Sequence, residues 1–210
     1  MTTQIPKPIA LIMGSTSDWP IMKQASDILT EFGVVHKSQV VSAHRTPQLM
    51  YQFAKNAHKK FSVIIAGAGG AAHLPGMVAS LTPLLVVGVP IVATPLQGFD
   101  SLLSIVQMPN GVPVATVAIN NATNAALIAL RILAINNPDI LQKIIKYQKE
   151  LQKKVLNSKI QTATKESVAL AVAVTAPPHL ASYSEKKQAT AKKSKSSHKT
   201  IKTKSKSTYK

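Results

Sequence analysis

The hexapeptide Ser42-Ala43-His44-Arg45-Thr46-Pro47 gathers a titratable ring, a fixed cation and two hydroxyls within a few residues of one another. His44 is the one proton carrier there whose unperturbed pKa lies near neutrality. Arg45 offers a planar fork of donors matched to phosphate or carboxylate. A second stretch, Gly14-Ser15-Thr16-Ser17-Asp18, reads in two ways. Ser17 or Asp18 can cap an ordinary helix. Alternatively, backbone N–H groups and serine hydroxyls at a helix start attract an anion, while Asp18 accepts hydrogen bonds from sugar hydroxyls. The spacing is neither GxGxxG nor GxxxxGK[ST], so no dinucleotide and no nucleoside triphosphate is implied. The third stretch is Gly67-Ala68-Gly69-Gly70-Ala71-Ala72-His73-Leu74-Pro75-Gly76. Close packing accounts for Gly67 and Gly76; it accounts less well for Gly69-Gly70 followed by His73. His73 itself reads equally as a helix-start residue with no chemistry.

These three stretches need a scaffold, and the hydrophobic pattern supplies one. Ile9 to Met13 is a short continuous apolar run of the kind that forms a buried parallel strand. Further strands are expected from Val34 to Val41, Phe61 to Ala66, Leu84 to Val92 and Val112 to Ile119. Between them lie helical patterns: Ile21 to Leu29 closing at Gly33, Pro47 to about Lys60, and Ser101 to Gln107. Pro47 suits a first helical turn, where a missing N–H costs nothing. An Ala/Leu/Ile-rich helix from Asn120 to Ile135 is apolar over most of its circumference, and an amphipathic one runs from Asn136 to roughly Lys159.

Strand and helix alternate five times, which predicts an α/β fold: a three-layer, flavodoxin-like sandwich around a parallel five-stranded sheet. In the strand order 2-1-3-4-5 the turns after strands one, two and three share one crevice at the carboxyl ends of the strands. All three chemical stretches are those turns.

Composition narrows the chemistry further. There is no cysteine, so disulfides, thiol catalysis and cysteine-ligated zinc are excluded. The six histidines show neither HxH nor HxxxH spacing, and no metal site is expected. The formal charge of +17 is unevenly spread: residues 1–158 carry 13 Lys+Arg against 6 Asp+Glu, whereas residues 159–210 carry 12 Lys against 2 Glu. The organisation expected is thus a catalytic unit over 1–158 and a low-complexity, lysine-rich tail over 159–210 whose composition cannot bury a core. That tail is either a solvated appendage or a non-specific, salt-sensitive binder of polyanions. No signal peptide is read in Met1 to Pro8, and no apolar run reaches the roughly 18 residues needed to span a bilayer, so a cytoplasmic location with no membrane partner is expected.

Taken together, Met13-Gly-Ser-Thr-Ser-Asp18, Val41-Ser-Ala-His-Arg-Thr-Pro47, Ile65-Ala-Gly-Ala-Gly-Gly-Ala-Ala-His-Leu-Pro-Gly76 and Ser101-Leu-Leu-Ser-Ile-Val-Gln-Met-Pro109 resemble the catalytic subunits of the purine-biosynthetic aminoimidazole ribonucleotide carboxylases. The Ser-Ala-His-Arg form is similar to the class I members, the 5-(carboxyamino)imidazole ribonucleotide mutases. The resemblance covers roughly residues 8–155 and leaves out the tail. It implies phosphate binding at Ser15, Ser17, Ser42 and Arg45, ribose binding at Asp18, and His44 as the catalytic histidine. It also implies a carboxylate transfer without ATP, metal or organic cofactor, and a homo-octameric assembly. A closed pocket at residues 67–72, with Ala68 and Gly69 counted among the substrate-binding residues, would hold carbon dioxide between the two halves of the reaction. Two other readings stand beside this one: a direct carboxylase using aminoimidazole ribonucleotide and carbon dioxide, and a non-catalytic phosphate-binding domain with a polyanion-binding tail. One departure is visible. Where many family members carry a glycine-bearing loop, this chain runs Asn120-Asn121-Ala122-Thr123-Asn124, which bears on a subunit contact more than on the chemistry.

Overall fold

A computed structural model describes residues 7–158. The lysine-rich tail expected over 159–210 lies outside the described residues. Five parallel strands, β1 (Ile9–Met13), β2 (His36–Val40), β3 (Ile64–Gly69), β4 (Val86–Ile91) and β5 (Ala115–Thr116), form one sheet in the order β2-β1-β3-β4-β5. The helices are α1 (Trp19–Glu31), α2 (Pro47–Lys60), α3 (Leu74–Ala79), α4 (Phe99–Val106), α5 (Ala122–Ala134) and α6 (Pro138–Leu156). The doubly wound sandwich and its strand order match the sequence expectation.

The alternation of side chains along each strand divides the core in two. Ile9, Leu11 and Met13 of β1 face α1, α5 and α6, burying Met22, Leu29, Leu130 and Ile144. Ala10 and Ile12 point the other way, toward Met50 and Ala54 of α2, Leu74 and Val78 of α3, and Ile105 of α4. Ile65 in β3 is completely buried, and truncating such a residue to alanine costs about 2–5 kcal/mol. Sequence-level suspicion that Gly67 and Gly76 are packing residues is supported. A Cβ on Gly67 would lie 2.3 Å from the Met22 sulfur, and one on Gly76 would lie 2.7 Å from the Met108 sulfur.

Several boundaries differ from expectation for identifiable reasons. The strand expected over Val34 to Val41 is shorter, because β2 is the sheet edge and most of its His-Lys-Ser-Gln-Val run is exposed. The fifth strand contracts from Val112–Ile119 to Ala115–Thr116, behind Pro113, which has no N–H to give a ladder. Pairing beyond it survives only as Val117 N–H to Gly88 O and Asn120 N–H to Pro90 O. Helix α4 starts earlier than Ser101, at Phe99, behind Gly98 in a left-handed conformation. At the departing loop, Asn120 adopts φ +58°, the backbone region glycine favours and asparagine tolerates. Its side chain accepts the Val92 N–H at 3.0 Å, and Asn121 caps α5 by accepting from the Asn124 N–H. Among the described residues no helix is long and apolar enough to cross a membrane.

Register is what matters for the site. Met13 pairs with both Val40 and Gly67, so β1 and β2 end at one level and β3 runs two residues further, to Gly69. Their three following turns therefore leave the sheet side by side.

Candidate active site

The turn after β1 folds on itself. Ser15 is the N-cap of a single 3-10 turn, Thr16–Asp18; its hydroxyl accepts the Ser17 N–H at 3.3 Å, while an Asp18 carboxylate oxygen accepts the Ser15 N–H at 3.1 Å. That reciprocal pairing satisfies donors that a helix start otherwise leaves open. Asp18 is buried, with 7% of its surface exposed. Burial pushes its carboxyl above the usual aspartate range, against the lowering effect of the Ser15 and Gly14 N–H groups and of the Arg45 charge.

The turn after β2 is tied in the same local manner. The Thr46 hydroxyl accepts the Ser42 N–H and donates back to the Ser42 carbonyl, each at 3.0 Å. The Ser42 hydroxyl accepts from the Arg45 backbone N–H at 3.2 Å and from Arg45 Nε at 3.4 Å. Arg45 Nη2 then reaches across to the Gly14 carbonyl at 2.8 Å, joining the second turn to the first. One guanidinium thus spans both turns and keeps further donors for an anion.

The turn after β3 brings the group that the sequence left undecided. His73 is the N-cap of α3, and its Nδ1 lies 2.8 Å from His44 Nε2. The rings meet edge to face, with centroids 4.9 Å apart and planes at 83°. Such a contact needs one donor and one acceptor, so a proton sits on one of the two nitrogens and the other receives it. His73 therefore belongs to the site.

All eight residues named from the sequence, Ser15, Ser17, Asp18, Ser42, His44, Arg45, Ala68 and Gly69, line one crevice of ≈ 350 Å³. Gly14, Ala43, Ala72, His73, Leu74 and Ala93 complete its lining. Because strand order runs β2-β1-β3-β4, the serines, Asp18 and Arg45 stand on one side. Ala68, Gly69, Ala72 and Ala93 stand on the other. Ala93, which follows β4, was invisible to sequence reasoning. Its only signal is Gly69, where an added Cβ would meet the Ala93 methyl at 2.5 Å. The arrangement offers donors for a phosphate, a buried carboxyl for hydroxyls, a histidine pair for proton movement and a small-residue wall with no charge.

Known proteins resemble the chain in this same region. The family model described as AIR carboxylase matches residues 8–154. An N5-carboxyaminoimidazole ribonucleotide mutase from Pyrococcus horikoshii is 60% identical over 148 residues, 70% of this chain and 84% of that protein. The chloroplastic phosphoribosylaminoimidazole carboxylase of Vigna aconitifolia is 60% identical over 149 residues, 70% of this chain but 27% of the plant protein, so the chain spans about a quarter of that relative. Among solved structures, that of Treponema denticola PurE2-S38D superposes with a TM-score of 0.68 at 24% identity, covering 75% of this chain and 100% of the other. The scaffold, the crevice and the match across residues 8–154 agree: the chain belongs to the AIR carboxylase family.

Proposed function

We propose that this chain works in purine biosynthesis as a 5-(carboxyamino)imidazole ribonucleotide mutase. It moves a carboxylate from the exocyclic nitrogen of 5-carboxyamino-1-(5-phosphoribosyl)imidazole to ring carbon 4. The observation that carries this reading is the position of His44, on one crevice with both the Arg45–serine cluster and the uncharged Ala68–Gly69 wall.

The residues divide the work accordingly. Ser15, Ser17, Ser42 and Arg45 bind the 5′-phosphate, with the Arg45 fork already oriented by Gly14 and Ser42. Asp18 accepts from the ribose hydroxyls. His44 in its protonated form gives a proton to the carbamate nitrogen; the C–N bond breaks and carbon dioxide leaves the neutral amine. Carbon dioxide then adds at ring carbon 4, and the neutral imidazole of His44 removes the proton from that carbon. The shared hydrogen bond with His73 holds the His44 ring in one orientation for both transfers. Carbon dioxide carries no charge by which to be gripped. Confinement against Ala68 and Gly69, with water kept out, is what favours recapture.

Direct carboxylation of aminoimidazole ribonucleotide is the second reading, favoured by the carboxylase name of the plant relative. Supplying each substrate separately distinguishes them. Product from the carboxyamino ribonucleotide alone, without ATP or added bicarbonate, supports the mutase. Turnover confined to aminoimidazole ribonucleotide with bicarbonate overturns it.

The proposal extends to assembly and location: a homo-octamer in the cytoplasm, with residues 159–210 outside the catalytic unit. Leu96, Phe99, Leu103 and Val106, on and before α4, expose more than half of their surface and suit burial between copies. Light scattering on the full chain tests the assembly; a monomer would contradict it.

A further inference from the structure

The segment between β4 and α4, residues 92–98, closes over the glycine turn and is held there by side chains that touch no part of the crevice. Ala93 lies against Gly69, as the 2.5 Å approach to a Gly69 Cβ records, and the Thr94 methyl would lie 3.6 Å from a Cβ on Gly70. Ala93 is thus the face of the segment that lines the crevice. Behind it runs a chain of hydrogen bonds. The Thr94 hydroxyl donates to Asp100 at 2.7 Å and accepts the Leu96 N–H at 3.1 Å. The other Asp100 oxygen accepts the Ser101 N–H at 2.9 Å. The Ser101 hydroxyl, completely buried, donates to the Ile91 carbonyl at 2.8 Å, returning the chain to the end of β4.

This bracing works against a strained backbone. Gln97 has φ +55°, a left-handed conformation that costs a residue with a side chain, and Gly98 follows at φ +84°. Such a turn persists where surrounding contacts over-determine it, and Thr94 contributes to them through its hydroxyl and through its carbonyl, which accepts from Gln97 N–H at 3.3 Å. The Thr94 hydroxyl also holds the Asp100 carboxyl below the usual range, so the acceptor stays ionised.

We propose that Thr94 and Asp100 are positioning residues that keep Ala93 seated on Gly69, closing the wall of the crevice through which carbon dioxide would escape between bond cleavage and recapture. The inference rests on the mutase reading and adds to it the part of the chain that retains the intermediate. It concerns partition, not proton transfer. A loosened segment lets carbon dioxide exchange with solvent while His44 and the phosphate site are untouched.

The test uses full-length wild type, Thr94→Val, Thr94→Ser and Asp100→Asn with carboxyamino ribonucleotide bearing a 13C carboxylate, in buffer containing unlabelled carbon dioxide. Wild type is expected to retain the label in its product. Thr94→Val, nearly the same shape without the hydroxyl, is expected to lose label severalfold more, and Thr94→Ser to return to the wild-type value. Asp100→Asn, whose amide oxygen still accepts but carries no charge, falls between them. A substitution with only a structural role would lower turnover without diluting label. Label retained equally by folded Thr94→Val and Asp100→Asn overturns the proposal, as does wild type that already exchanges fully, which leaves the mutase reading standing. Wild type that forms no product from this substrate removes both.

Discussion

His44 Nε2 and His73 Nδ1 lie 2.8 Å apart although 29 residues separate them in the chain. The contact exists because β2 and β3 flank β1 on either side, so the turns that follow them leave the same end of the sheet and meet. Both rings are exposed and line the crevice, and this hydrogen bond and the edge-to-face packing hold the His44 ring as it is turned. His73→Asn is therefore expected to lower kcat about tenfold with little change in KM, since the substituted residue orients the proton carrier and does not hold the phosphate. Steady-state kinetics checks this. A rise in KM at unchanged kcat would place His73 in binding.

Asp18 combines a functional expectation with a cost in stability. Its carboxyl is raised by burial, so the folded protein holds a proton that the unfolded chain releases near 3.8. Between that value and the higher folded one the native state binds more protons, and stability falls as pH rises through the interval. Asp18→Asn keeps an oxygen to accept the Ser15 N–H and removes the buried charge. Its Tm at neutral pH is expected to equal or exceed that of wild type by about 2 °C, with the gain vanishing in acid. Nucleotide affinity is expected to fall in the same variant. Thermal melts across pH and a binding titration check the two halves.

Two glycines of β3 separate packing from function. A Cβ on Gly69 meets the Ala93 methyl at 2.5 Å and the Ile91 carbonyl at 3.1 Å, neither of which yields without moving the crevice wall. Gly69→Ala should cost about 1–3 kcal/mol of stability and disproportionately reduce turnover. A Cβ on Gly67 meets chiefly the flexible Met22 thioether at 2.3 Å, away from the crevice. Gly67→Ala should cost stability while turnover of the folded fraction stays near wild type. Urea midpoints and kcat, measured together, check the contrast.

Ending the chain after Ala181 removes ten lysines and one glutamate. Because the described residues that line the crevice all fall between 14 and 93, turnover should be unchanged. Retention on a polyanion column at low salt should drop sharply, as expected when phosphate-like contacts are lost. A large loss of activity would make the tail part of the enzyme.

The sandwich was legible because its signals are local and redundant. Ile9 to Met13 is apolar without interruption, Pro47 marks the start of α2, and alternation of strand with helix admits few topologies. The edges were less legible. β2 is polar because it is the sheet edge and is exposed along most of its length, so Val34 and Val35 drew the strand too early. The six-residue α3, beginning Leu-Pro-Gly, is too short to show a helical period. The three turns stood out because each carries its own chemistry, and the resemblance to the carboxylase family named the eight positions within them. His73 could not be placed, since its role depends on a partner from another turn. Ala93 and the Thr94–Asp100 bond were hidden for the same reason: small or ordinary residues become informative only once β4 is set beside β3.

The most direct measurement is of His44→Asn, assayed for both nucleotide binding and conversion of carboxyamino ribonucleotide. Asparagine keeps a polar side chain at the turn but carries no titratable proton, while Arg45 and the serines remain to bind phosphate. Turnover lost with affinity largely intact is the expected result. Turnover unchanged would remove His44 from the chemistry and contradict the reading of this crevice as the active site.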